Sequence, residues 1–214
     1  MERLETTRWR RRKDARPAEI LDAALAVFAE RGFAATRMDD IAERAGVTKG
    51  TIYLYFKSKD AVFRSLVRES IGVTLDRFTA EVDAFDGSSA DLLRNILRAI
   101  SHFILKTDRV VLPKIIVAEA GNFPSLAEFY RRDVIDKGLA LLQSIIARGI
   151  NGGEFRAVAP EHAAKLCFAP FLLAATWKTT FARFDTEPYD LDAFIETHID
   201  VLLRGLAVEK WGRG

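Results

Sequence analysis

The sequence predicts an all-α protein: a three-helix N-terminal head, a long fourth helix, and a larger helical body, about nine helices in all. Three observations lead there. Apolar residues recur at helical spacing over most of the 214 residues, and no stretch shows convincing strand alternation. Gly, Pro, Ser and Asn clusters fall between the periodic runs, where helix punctuation belongs. One run, Phe63 to Phe85, is too long to belong only to a three-helix head.

The elements follow in order. Arg8–Arg16 carries six basic residues and one acid, and residues 1–15, with Arg8, Arg10, Arg11, Arg12 and Lys13, are expected to form a disordered basic arm. Pro17 sits at a first helical position, with Ile20, Ala24, Val27 and Phe28 on one face and Gly32 at the end. Thr36-Arg37-Met38-Asp39 reads as a capping box opening a second helix that stops at Gly46. Thr48 caps a third helix reaching about Phe56, and Ser58 caps the fourth. Along the fourth, Phe63, Val67, Ile71, Leu75, Phe78, Val82 and Phe85 are spaced 4, 4, 4, 3, 4 and 3. A helix from Lys59 to Phe85 spans roughly 40 Å and joins head to body.

Gly87-Ser88-Ser89 breaks that pattern, and Ser88 with Asp91 caps a fifth helix. Pro113, Gly121-Asn122 and Pro124 punctuate a short sixth; a seventh runs from about Ser125 to Ile150, ended by Asn151-Gly152-Gly153. Pro160 starts an eighth reaching about Phe184, Asp185–Pro188 is a loop, and a ninth covers about Leu191 to Val208. The expected divisions are an arm at 1–15, a head at 16–58 with its motif at 37–56, and a body at 59–214.

Composition narrows the class. Charged residues at 29% and apolar residues at 49% are ordinary for a soluble globular chain. A single cysteine, Cys167, permits no intrachain disulfide, fits a reducing compartment, and in its apolar run reads as core. The apolar run from Leu166 to Trp177 contains Pro170 and falls short of the roughly twenty residues a membrane span needs. Glu19, Asp22 and Glu30 interrupt any export segment, so a soluble cytoplasmic protein is expected, without a membrane partner. The histidines lie far apart, and no zinc spacing, phosphate loop or nucleophile elbow is present; no enzyme, metal or cofactor is expected.

Residues 37–56, RMDDIAERAGVTKGTIYLYF, have the features of a helix-turn-helix. Ala42 is small where the helices touch, Gly46 suits a left-handed turn, and Ile52 faces the core. The outer face of the second helix offers Thr48, Lys49, Gly50, Thr51, Tyr53 and Tyr55, followed by Lys57 and Lys59. Hydroxyls and cations meet phosphate and base edges, and a glycine lets the backbone approach DNA. A helical hairpin with a merely solvated face would share part of this pattern.

The stretch over roughly 16–66, most specifically Ile41–Lys59, closely resembles the DNA-binding domain of TetR-type transcriptional regulators. The resemblance implies that Thr36 and Arg37 meet phosphate at the head of the second helix. Lys49, Gly50 and Thr51 would lie against base edges, Tyr53 and Tyr55 against phosphate or thymine methyls, and Lys59 would anchor the fourth helix to the DNA backbone. It also implies a ligand-responsive repressor, binding a palindromic operator, whose body senses a small molecule. Ile115–Tyr130, IIVAEAGNFPSLAEFY, resembles the regulatory half of AefR-like repressors.

The body is rich in aromatics. Phe103, Phe123, Phe129, Phe168, Phe171, Trp177, Phe181 and Phe184 are candidates to line a pocket for an apolar or aromatic effector, with ordinary core or dimer packing as the alternative. His102, His162 and Thr176 are candidates to orient it. One short recognition helix makes too few base contacts for discrimination, so a homodimer on paired half-sites is expected. Leu166, Leu173, Trp177, Phe194, Ile199, Leu202 and Leu203, on the last two helices, are the candidates for its interface.

Overall fold

Caps and breakers decide where each helix starts and stops. The computed structural model describes residues 2–208, with side chains from Pro17 onward. The first helix, α1 (Glu2–Ala35), takes in the segment expected as a disordered arm, and Pro17 lies inside it rather than at its start. Arg, Glu, Lys and Leu dominate that segment and are good helix formers. Its basic side chains fall outside the described set. Gly32, at φ 76 and ψ 168, interrupts α1 where a helix end was predicted.

The cap of α2 (Met38–Arg44) is shifted by one residue from the expected box. Arg37 is the N-cap, and its N–H donates to Asp40 Oδ2 at 2.8 Å. That bond, with the nearby Arg31, holds the Asp40 carboxyl below its usual range. Gly46 makes the turn at φ 64, a conformation a β-carbon penalises. Thr48 then caps α3 (Lys49–Tyr55), its side chain accepting from the Thr51 N–H at 3.2 Å.

The long connection consists of α4 (Lys59–Val67), a π-turn (Arg68–Gly72) and α5 (Val73–Ala84), with Ser58 capping its start. Val73 N–H bonds back to the Arg68 carbonyl, which adds a residue to that turn. The 4, 4, 4 spacing explains it. Each four-residue step overshoots a 3.6-residue turn by about 40°, and a widened turn brings Ile71 and Leu75 back into line.

The body continues with α6 (Ser89–Leu105), α7 (Val111–Glu119), α8 (Pro124–Tyr130), α9 (Asp136–Asn151), α10 (Pro160–Thr176) and α11 (Leu191–Leu206). A second π-turn, Arg131–Ile135, fuses α8 to α9, and a third, Trp177–Phe181, extends α10. With α4–α5 and α8–α9 each taken as one rod, nine helical rods make up the described residues.

Two apolar clusters hold the chain. The first joins Ile20, Phe28 and Phe33 of α1, Ile41 and Ile52 of the motif, and Val62 and Phe63 of α4. It does not stop at residue 58, since Leu112, Ile115, Leu126 and Phe129 of α7 and α8 belong to it. The second fills the body between α5, α6, α9, α10 and α11, with Phe78, Leu97, Ile145, Phe171 and Ile195 at its centre. One polar corner closes it: Glu154 accepts from the N–H groups of Ser89 (2.9 Å) and Ala90 (3.2 Å) at the start of α6. Arg148 donates to the carbonyls of Phe85 and Gly87 that end the preceding turn.

Candidate nucleic-acid interface and effector cavity

Ile52 is fully buried while its neighbours on α3 turn outward, because one face of this short helix must close the head's core. Lys49, Gly50, Tyr53 and Lys57 are exposed, and Thr51 and Tyr55 are half-buried beside them. Leu54, 82% exposed, stands among these groups and was not singled out in the sequence. Helical spacing carries the signal: residues 50, 53 and 54 share one face of α3, and Lys57 follows just past its end. An isolated apolar side chain here suits a sugar or a thymine methyl.

The polar groups are already partly engaged. Lys49 Nζ sits 2.9 Å from Asp39 Oδ2, an exposed pair that a phosphate can replace at little cost. The hydroxyls of Thr48 and Thr51 lie 2.8 Å apart. Arg37 is exposed at the start of α2, in the place the resemblance implies.

Two expected phosphate contacts are used inside the head instead. Thr36 is buried, and its hydroxyl donates to the Gly32 carbonyl at 2.6 Å. Lys59 Nζ donates to the carbonyls of Phe33 (2.8 Å), Ala34 (2.7 Å) and Thr36 (3.1 Å). It also lies 4.8 Å from the centre of the Phe33 ring. These carbonyls stand at and just past the C-terminal end of α1, where no helical N–H follows to meet them, and a cation near a helix end satisfies them. Burial lowers the Lys59 pKa, opposed by the nearby Glu119 carboxylate. Glu119, at the end of α7, accepts from the Ala34 N–H at 3.0 Å, so the same corner fastens body to head.

A cavity of about 150 Å³ lies between the long rod and the body. The rod contributes Ile71, Thr74, Leu75 and Phe78; α6 contributes Phe103; α9 contributes Leu139 and Leu142. Its wall is apolar apart from Thr74, Arg109 and Tyr130, and burial pushes the Tyr130 phenol up. The first two π-turns meet beside it, where Arg68 lies 3.8 Å from Asp133.

Of the aromatic candidates, Phe103 and Phe168 line this cavity. Phe171 is fully buried in the body core and Phe129 in the head cluster, where Arg64 covers its ring at 4.8 Å. Phe123 packs edge-on against Phe33 at 4.9 Å. Trp177 lies elsewhere, donating to Asp185 Oδ2 at 2.8 Å beside a wider cleft that carries Asp185 and Glu187. His102 and His162 are exposed, and Thr176 donates to the Leu172 carbonyl within its own helix. Aromatic content cannot separate these cases, since core and cavity select the same side chains. Arg109 did carry a signal, being a charge set against the apolar run Val110–Leu112.

Of the interface candidates, Leu166 and Leu173 are exposed on α10, and Phe194, Leu202 and Leu203 are half-buried on α11. Ile199 is only 2% exposed and belongs to the subunit's own core, because α11 turns Ile195, Ile199 and Leu206 inward. Val201 is exposed on α11 and was not anticipated, while Phe181 and Phe184, candidates for the pocket, are exposed and do not line the cavity. Cys167 is buried, its thiol pushed up to about 12, so it stays protonated. Among the described residues no helix is long and apolar enough to cross a membrane. Nor does any group of three or more His, Cys, Asp or Glu there stand ready to hold a metal.

A helix-turn-helix head with an exposed, donor-rich second helix, joined by one rod to a body that encloses an apolar cavity, defines a DNA-binding transcriptional regulator. Residues 20–66 match the family model for bacterial regulatory proteins of the tetR family. Residues 91–205 match that for the C-terminal domain of AefR-like transcriptional repressors. The chain belongs to the TetR family. It is 30% identical over 199 residues to the fatty acid metabolism regulator protein of Bacillus subtilis, covering 91% of this chain and 98% of that one. Against the HTH-type transcriptional repressor KstR2 of Mycobacterium tuberculosis it is 26% identical, covering 92% and 95%. The structure of the fatty acid degradation regulator FadR from Bacillus halodurans superposes with a TM-score of 0.68 at 25% identity, covering 87% and 94%. FadR from Bacillus subtilis in complex with stearoyl-CoA superposes with a TM-score of 0.69 at 24% identity, covering 88% and 98%.

Proposed function

We propose that this regulator is a cytoplasmic homodimeric repressor, released from a palindromic operator when an apolar acyl compound enters the cavity. One observation carries the reading. The rod that lines the cavity with Ile71, Leu75 and Phe78 is continuous with α4, whose Val62 and Phe63 are fully buried in the head. Volume then sets the direction. A cavity of about 150 Å³ holds a benzene-sized molecule, whereas effector pockets measure roughly 300–1,000 Å³. A longer guest must push α5 away from α9, and the paired π-turns are where the two rods can shift.

A tilt of that rod changes the separation of two recognition helices that must match roughly 34–36 Å of DNA. An effector preferring the mismatched geometry by ~3 kcal/mol weakens DNA binding roughly 100-fold, and bound DNA weakens the effector equally. The acyl class is supported by the named role of the Bacillus subtilis relative and by the stearoyl-CoA complex. The α10–α11 face, with Leu166, Leu173 and Val201 exposed, serves as the dimer interface. Lys49, Gly50, Thr51, Tyr53, Leu54 and Tyr55 serve as the DNA contacts, with Arg37 and Lys57 on flanking phosphates.

The test uses a duplex that the full-length protein selects from a random pool. Palmitoyl-CoA titrated against that complex should release the DNA, and its own affinity should fall by the same factor when the duplex is bound. Equal affinity with and without DNA would rule out acyl sensing. Failure to prefer the selected duplex over random DNA at fixed salt would indicate a non-specific architectural binder instead.

A further inference from the structure

We propose that the cavity receives an acyl chain ending in an anionic group, and that Arg109 is the residue that holds that group. This rests on the reading of the cavity as the effector site and adds to it the chemistry of the effector's head.

Arg109 stands on the short 3-10 turn Asp108–Val110 and is half-buried in the cavity wall. Its Nε is buried and meets no hydrogen-bond acceptor among the described residues. The wall around it holds no carboxylate, and no ion pair joins Arg109 to another described residue. Thr74, a second polar group of the wall, already donates its hydroxyl to the Ser70 carbonyl at 2.9 Å. The guanidinium lies 5.4 Å from the centre of the Phe103 ring. That contact engages its charge but accepts no N–H.

A guanidinium cannot discharge itself by losing a proton, so burial leaves it charged and short of an acceptor. A planar fork of donors on an apolar wall is matched by an oxyanion on an apolar chain. A neutral apolar guest of the same length would fill the cavity and leave the Nε–H as unsatisfied as before. The site therefore discriminates by the charge of the head, while Ile, Leu and Val of the wall take the chain. A free carboxylate and the charged groups of a coenzyme A thioester are the two sources of such an anion.

The experiment measures binding of decanoate, decanoyl-CoA and decanol to the full-length protein by calorimetry, below their micellar concentrations. The wild type should prefer one of the anions to decanol by roughly 10- to 100-fold, as charge-assisted hydrogen bonds do. Whichever of decanoate and decanoyl-CoA binds more tightly identifies the source. Arg109→Gln should bring the anion down to the affinity of decanol and leave decanol itself within about twofold. Arg109→Lys, which keeps the charge, should retain the preference, and it serves also if the glutamine variant does not fold. Equal binding of anion and decanol by the wild type would overturn the role of Arg109 and leave the acyl-effector reading standing. Binding of none of the three would overturn both.

Discussion

Replacing Lys59 with methionine separates two roles that the position can hold. Methionine keeps most of the aliphatic stem against Phe33 but removes the ammonium and its three donors. The carbonyls of Phe33, Ala34 and Thr36 then lose bonds of 2.8, 2.7 and 3.1 Å. Hydrogen bonds to a charged donor contribute about 1.5–3 kcal/mol, and three carbonyls share one partly exposed ammonium, so a loss of about 2 kcal/mol is expected. In a chain of this length that lowers the melting temperature by about 4–8 °C. The assay pairs thermal denaturation followed by circular dichroism with DNA binding by anisotropy, measured well below the transition. Lys59→Met should melt early while keeping affinity within a few-fold at low temperature. An unchanged melting temperature with DNA binding lost would refute the internal role and restore the phosphate contact that the resemblance implies.

Three further predictions follow from the same geometry. A β-carbon at Gly50 would meet only Thr48 Oγ1, at 3.9 Å, so Gly50→Ala should leave the melting temperature unchanged or raised while weakening selected-duplex binding at least 10-fold; unchanged affinity would remove Gly50 from the DNA face. At Gly46 a β-carbon has open space but φ is 64, so Gly46→Ala should destabilise the head by about 1–2 kcal/mol through the backbone alone, which a scan without a shifted transition would contradict. The backbone N–H of Ser89 is the leading reason that the Glu154 carboxyl titrates below its usual range; its contribution is therefore present at neutral pH and is lost as pH falls through the unfolded value near 4.5 toward the folded one. Glu154→Gln should accordingly cost about 1 kcal/mol at pH 7, and the gap to wild type should narrow below pH 4; a gap constant with pH would show that the charge contributes nothing.

The features legible in the sequence are those set within a few residues. Thr48, Ser58 and Ser88 cap helices because each side chain reaches an N–H three positions on. Gly46 marks the turn because its own backbone conformation penalises any residue with a β-carbon. The 4, 4, 4 spacing in the fourth helix even encodes a π-turn, although it reads at first as an ordinary helix. One of these local readings still missed by a residue. Thr36 and Arg37 both stand before α2, and what decides the cap is that Thr36 bonds Gly32 behind it while Asp40 reaches back to Arg37.

Tertiary structure decided what side chains of the same kind do. Phe103 and Phe168 face a cavity while Phe129 and Phe171 are core, although all four sit at apolar positions of helices. Composition and period report that a side chain is turned inward; they do not report whether packing fills the space it meets. Lys59 belongs to a motif specific enough to identify a family, yet its ammonium is claimed by carbonyls 23 to 26 residues away, left open where α1 ends. Arg109 becomes a candidate anchor only when α5, α6 and α9 close around it and no carboxylate closes with them. Local sequence determines the helices and the DNA-binding motif, because those depend on bonds spanning a turn or two. The effector site depends on which distant groups are left without partners once the helices have packed, and only the assembled fold settles that.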